Sequence, residues 1–152
     1  MKKSLLSLSL IALSTVPTTA HRSWILPAMT VYAEEGAWAT FDAAVSNDLF
    51  AANHHGMSLE TVKAIAPDGT PLALVNMAEG EIRSTFDLQL NKKGTYKVVN
   101  SRASLRASWE EGGERKRWRG TPEEFDQAKL AEKDGIVLKE SVRTNVTYLT
   151  NG

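Results

Sequence analysis

The sequence predicts a mainly β protein, an antiparallel β-sandwich with one short helix. Three observations carry this. Apolar and polar residues alternate with a period of two in several separate runs. Turn signals punctuate those runs at short intervals. Only one stretch opens like a helix. Alternation places side chains on opposite faces of a strand, so one face can be buried while the other meets water.

The first clear run is Ala39, Phe41, Ala43 and Val45, interleaved with Thr40, Asp42 and Ala44. Leu59 to Ala66 is compatible with a strand and ends at P67-D-G-T70, where Pro fixes φ and Gly accepts positive φ. Leu72 to Val75 resumes. Ile82, Phe86, Leu88 and Leu90 share a face opposed by Arg83, Thr85, Asp87 and Gln89. N91-K-K-G94 reads as a turn that pairs Thr95–Val99 back as a hairpin. A second hairpin joins Ala103–Trp109 to Arg115–Trp118 through E110-E-G-G-E114.

T121-P-E-E124 opens the helix, with Thr at the cap, Pro at the first helical position and acids in the first turn. The helix is expected to reach about Lys133 and to stop at Asp134-Gly135. Ile136 to Leu149 alternates again as a long strand, its even positions (Ile136, Leu138, Val142, Val146, Tyr148) mostly apolar. Short strands in this number point to an immunoglobulin- or prealbumin-like sandwich.

Length and composition bound the function. The chain has 152 residues, 42% hydrophobic and 24% charged, an ordinary globular balance for one domain. The formal net charge is zero, which favours neither a nucleic-acid surface nor an anionic membrane. Lys2 and Lys3 precede the apolar run Leu5–Leu13, too short to span a bilayer. Pro17 then breaks the run, and Thr18 and Ala20 are small residues at the positions a signal peptidase reads. Residues 1–20 are therefore read as a cleavable signal peptide and 21–152 as the domain, exported to a bacterial periplasm without a remaining membrane span. Cleavage removes two lysines and no acid, taking 18 cations against 18 acids to 16 against 18, a charge of −2. The absence of cysteine excludes disulfides, thiolate metal sites and a lipid-modified cysteine.

Cleavage after Ala20 makes His21 the first residue, with a free α-amine beside its imidazole. The chain has three histidines, and the other two, His54 and His55, are adjacent in the loop-like stretch A51-A-N-H-H-G-M57. An amine and Nδ1 of one histidine close a chelate ring on a metal. Further imidazoles make a nitrogen-rich site that suits Cu(II) or Ni(II), and Zn accepts the same ligands in a tetrahedron. The expected metal ligands are His21, His54 and His55. Asp48 and Asn47 are candidates to orient an imidazole from behind, although the favoured reading of S46-N-D-L49 is a turn. Trp24 is a candidate to shield the site; Trp38 is expected in the core. The cluster R115-K-R-W-R119 lies beside Glu110, Glu111, Glu114, Glu123 and Glu124 and reads as a solvated hairpin.

No nucleophile elbow, phosphate loop or dinucleotide fingerprint is present, so binding is expected rather than catalysis. Two other readings stay open. One is a metal-free sandwich that binds a glycan or an envelope protein through Trp24, Trp109 and Trp118. The other is a copper-dependent oxidative enzyme built on the amine–imidazole chelate.

H21-R-S-W-I-L-P27, A43-A-V-S-N-D-L-F50, N53-H-H55, A66-P-D-G69 and E114-R-K-R-W-R-G120 together resemble a bacterial exported family, domain of unknown function 4198, often described as nickel or cobalt uptake transporter-like. Ala20, His21 and Trp24 keep the family's form of an Ala-His start followed by an aromatic. The resemblance implies a periplasmic β-rich protein concerned with uptake of Ni, Co or Cu and with a membrane metal transporter as partner. It also admits residues 21–152 as the N-terminal part of a longer protein.

Overall fold

A computed structural model describes residues 21–152; the signal-peptide reading of residues 1–20 lies outside them. The strands are β1 (Arg22–Pro27), β2 (Val31–Tyr32), β3 (Ala37–Ser46), β4 (His55–Gly56), β5 (Val62–Ile65), β6 (Pro71–Leu72), β7 (Val75–Glu79), β8 (Ser84–Leu90), β9 (Gly94–Glu111), β10 (Glu114–Gly120) and β11 (Val137–Asn151). Helix α1 (Pro122–Gln127) and a 3-10 turn at Leu130–Glu132 lie between β10 and β11.

The chain is mainly β and forms two sheets, as the alternation predicts. The first has five strands in the order β1-β3-β8-β7, with β4 beside β3. The second has six, β2-β11-β9-β5-β6, with β10 beside β9. Pairing is antiparallel except for β2 against β11. Phe41, Phe86, Leu88 and Leu90 of the first sheet meet Val62, Tyr96, Val98 and Leu149 of the second in one core. Phe41 and Phe86 are cross-strand partners with rings stacked at 4.7 Å.

Several sequence expectations need correction. N91-K-K-G94 does not close a hairpin, because β8 and β9 belong to different sheets. The turn carries the chain across the sandwich, so that Phe86 and Leu88 face Tyr96 and Val98 through the core instead of lying edge to edge. The Tyr96 hydroxyl holds it, donating to Lys92 O and accepting from Lys92 N, both at 2.7 Å. Gly94 is needed there: its φ is +120°, and a Cβ would sit 2.8 Å from Pro67 Cβ. Trp38 is not core. It is 53% exposed, because Ala39 and Phe41 fix the inward register of β3 and its neighbours must point out. On β11, the apolar even positions Leu138, Val142, Val146 and Tyr148 are exposed, while Leu149 is buried.

The upper half of β9 builds a second, smaller core. Beyond Asn100 it leaves β5 and pairs only with β11 and β10. Gly112 and Gly113, both with positive φ, make the two-residue turn into β10. One face of this three-stranded arm is covered by α1: Leu105 and Ala107 pack with Phe125 and Leu130, flanked by Trp109, Trp118 and Ile136. The expected capping box forms, with Glu124 N donating to Thr121 Oγ1 at 3.2 Å and Thr121 N to Glu124 Oε2 at 2.8 Å. The helix stops sooner than the sequence predicts. Lys129 adopts a left-handed conformation, φ 50°, so Leu130 can reach the arm.

Phe86→Ala removes a fully buried ring and is expected to cost about 3–5 kcal/mol of stability. Trp38→Ala should cost less than about 1 kcal/mol, the scale of an exposed strand position. Urea unfolding of the two variants measures the contrast, and equal losses would return Trp38 to the core.

Candidate metal site

The end of β3 gathers the histidines. Its residue Val45 has Ser23 of β1 on one side and His55 of β4 on the other. Neighbouring strands lie about 4.8 Å apart, so β1 and β4 straddle the last residues of β3. His21 immediately precedes β1 and His54 immediately precedes β4. The loop from Asn47 to Asn53 folds back between them. Phe50 packs edge-on against Trp24, with centroids 5.8 Å apart, and covers the outer face at this end.

The three rings form one exposed cluster. His21 and His54 stack with centroids 4.1 Å apart and planes 13° apart. His54 and His55 lie 4.8 Å apart at 57°. His55 Nδ1 is 2.7 Å from Gly56 O. A carbonyl only accepts, so Nδ1 carries the proton and Nε2 keeps the lone pair. Gly56 is required beside the pair: a Cβ would fall 2.2 Å from Gly80 O, on a chain whose Gly56 N donates to Glu81 O at 2.9 Å.

Asp48 and Asn47 act on the loop. Asn53 uses both ends of its amide, Nδ2 donating to Asp48 Oδ2 and Oδ1 accepting from Asn47 N, each at 3.0 Å. They thereby hold the residue before His54, and the Asp48 carboxylate engages Asn53, not an imidazole. Trp24 is buried beneath this end of the sheet, and its Nε1 donates to Ser46 Oγ at 2.7 Å. Ser46 in turn donates to Asp48 O at 2.5 Å. Sequence reasoning gave no role to Asn53 or Ser46. Asn53 stands beside the histidine pair in the sequence and was the one legible signal.

The donor chemistry fits a transition metal, but this arrangement of the rings does not yet enclose one. Stacked rings direct their in-plane lone pairs side by side, whereas metal–nitrogen bonds of about 2.0–2.1 Å must converge on one point. His21 and His54 have to fan apart to share an ion. Among the described residues, no group of three or more His, Asp or Glu side chains already surrounds an ion-sized position. Of the aromatic residues considered as contacts for a glycan or protein, Trp24 is buried, and Trp109 and Trp118 are half-buried against the arm's core. Among the described residues, no helix is long and apolar enough to cross a membrane.

Crowding shifts His54. Desolvation by its neighbours lowers its pKa below the ordinary imidazole value, and positive charge on His21 and on His55 lowers it further. The unfolded chain therefore takes up this proton at a higher pH than the native protein, and folded stability falls as pH drops through that window. By NMR titration, His54 is expected to protonate below the ordinary value of about 6.5, and His21→Ala should move it upward. A His54 midpoint that does not move in His21→Ala would show that the two rings do not interact.

No curated protein matches this chain, and no solved structure does. Residues 18–152 match the family described as Domain of unknown function (DUF4198), a span that takes in both sheets, the arm and all three histidines, and the chain belongs to that family.

Proposed function

We propose that this protein is an exported, metal-binding β-sandwich that captures Ni(II), Co(II) or Cu(II) for uptake or trafficking, and that it is not an enzyme. The observation that carries the reading is the meeting of all three histidines of the chain, from sequence positions 21, 54 and 55, in one exposed cluster. His54 and His55 are neighbours in sequence, and the fold brings His21 to them from 33 positions away. Three features support a ligand role. The His55 tautomer leaves Nε2 free. The lowered pKa of His54 keeps that ring neutral, and therefore able to donate, at neutral pH. The loop holding the pair is fixed through Asn53.

In this reading, signal cleavage after Ala20 gives His21 a terminal amine, and the amine and Nδ1 chelate together. His54 and His55 each add one imidazole nitrogen. The ion is cargo, taken at the surface, which suits the exposure of all three rings. A membrane metal transporter is the partner to which it would be delivered. The description often given to the resembled family, nickel or cobalt uptake transporter-like, points the same way, and the exposed position is also what exchange with such a partner requires.

Titration calorimetry of the exported protein with Ni(II) and Cu(II) is expected to show one bound ion. His21→Ala and His54→Ala should each weaken it at least about tenfold, the loss of one charge-neutral donor bond. Binding should weaken as pH falls through about 8 to 6, where amine and imidazole take up protons. The intact mass of the exported protein should begin at His21. Unchanged affinity in a His54→Ala/His55→Ala double variant would end the proposal.

A further inference from the structure

The bare face of the arm carries a row of cations that the sequence alone scatters. Antiparallel register sets Arg106 directly opposite Arg119 of β10 and directly opposite Lys139 of β11. Directly opposed residues share a face, with Cβ atoms about 4.5–5.5 Å apart. Arg119, Arg106 and Lys139 therefore stand in one line across three strands, all exposed. Two residues along, Arg117 extends the row next to Ser108. Towards the sandwich, Arg102 lies directly opposite Arg143.

Like charges placed directly opposite destabilise a sheet, and here they are not offset. Among the described residues, the four ion pairs are Arg83–Asp42, Lys92–Asp68, Lys116–Glu114 and Lys133–Glu111. None involves the row. Of the hairpin's acids, Glu110 alone shares the row's face, directly opposite Arg115 at the turn end, and it forms no ion pair with Arg106, Arg119 or Lys139. Glu111 and Glu114 fall on the other face by alternation, and both of those last two bridges lie there. The run R115-K-R-W-R119, which reads as a solvated hairpin in sequence, is thus sorted by the pleat. Its arginines go to one face, and Lys116 and Trp118 go to the other.

The row lines a groove of about 560 Å³ with Arg106, Arg115, Arg117, Arg119 and Lys139 in its wall. Guanidinium groups present paired N–H donors that match two oxygens of a phosphoryl group, and an ammonium adds a point charge. We propose that this groove binds a multiply charged phosphate-type oxyanion, with Arg106, Arg119 and Lys139 as its ligands. Its position on the arm, held by a separate small core, makes it independent of the histidine cluster. The unoffset repulsion has a direct consequence. Removing one cation of the row should relieve the ligand-free protein while it weakens the anion's hold.

The test uses pyrophosphate as the soluble probe and vesicles with anionic phospholipid headgroups as the membrane-borne one. Both are measured at low and high salt with the native protein, with Arg106→Gln, and with Arg83→Gln as a cation removed from the other sheet. The native protein is expected to bind at least one probe, more weakly in high salt. Arg106→Gln should lose about tenfold in affinity and unfold at a higher urea concentration than the native protein. Arg83→Gln should bind like native. Binding of pyrophosphate alone assigns a soluble ligand, and binding of vesicles alone assigns a lipid headgroup. Binding of neither probe, or equal losses in Arg106→Gln and Arg83→Gln, would overturn the proposal.

Discussion

The register of β9 is the constraint on which the rest of the molecule depends. This strand of 18 residues pairs with β11 from Gly94 to Ser108, with β5 at one end and with β10 at the other. Its pleat assigns every side chain to one of two faces. Tyr96, Val98 and Asn100 point into the sandwich. Farther along that same face, Arg102 and Arg106 are exposed, because the opposing sheet no longer covers them. Leu105 and Ala107 point the other way and are sealed by α1. A slip of one residue would put Arg106 under Phe125 and Leu105 in water. Two cores of opposite orientation on one strand leave a single register that satisfies both.

The join between the halves is polar and satisfied. Asn100 is buried, receives Thr61 Oγ1 at 2.6 Å and gives Nδ2 to Met57 Sδ at 2.9 Å. Arg102 Nε donates to Thr61 Oγ1 at 3.2 Å. Met57 follows the histidine pair and Gly56, and its carbonyl accepts from Ser84 Oγ at 2.6 Å. The root of the arm and the root of the histidine loop therefore share one hydrogen-bonded knot. A buried asparagine holds its place only when its partners are present, so the knot fixes where β9 leaves the sandwich.

Fold class was legible because alternation and turn chemistry are local. Partner choice was not, because it is long-range. A hairpin and a change of sheet both need a turn between two alternating runs. N91-K-K-G94 supplied that turn, and only the core contacts of Phe86 and Tyr96 decide between the two. Trp38 shows a different failure. The inward set Ala39, Phe41 and Ala43 already required position 38 to face out, and the general preference of tryptophan for burial argued against the pattern. The pattern was the better guide. On β11, apolar even positions signalled a half-buried strand, but the odd positions reach the core near Leu149. The histidines were legible as residues, since they are few and fall at two places. Their meeting was expected from donor chemistry, but not the pairing that brings it about, in which β1 and β4 flank the same two residues of β3. The cationic row was hidden for the same reason: Arg106, Arg119 and Lys139 become neighbours only through pairing.

Both candidate sites break a local rule of stability in the same way. One packs three imidazoles so closely that His54 resists its proton. The other lines up like charges on adjacent strands without a carboxylate between them. Other groups find partners within the chain. Asp68 is held well below the usual carboxylate range by hydrogen bonds from Lys92 and Thr70, and the helix satisfies its first turn with a complete capping box. The exceptions sit on rigid elements, at the end of β3 and across the arm, and they are exposed. Exposure lets water screen the repulsion while no ligand is bound. It also means that neither cluster gains stability from being where it is. The two proposals rest on this shared feature: imidazoles crowded together and cations lined up, each group left with unused capacity for an ion of the complementary kind.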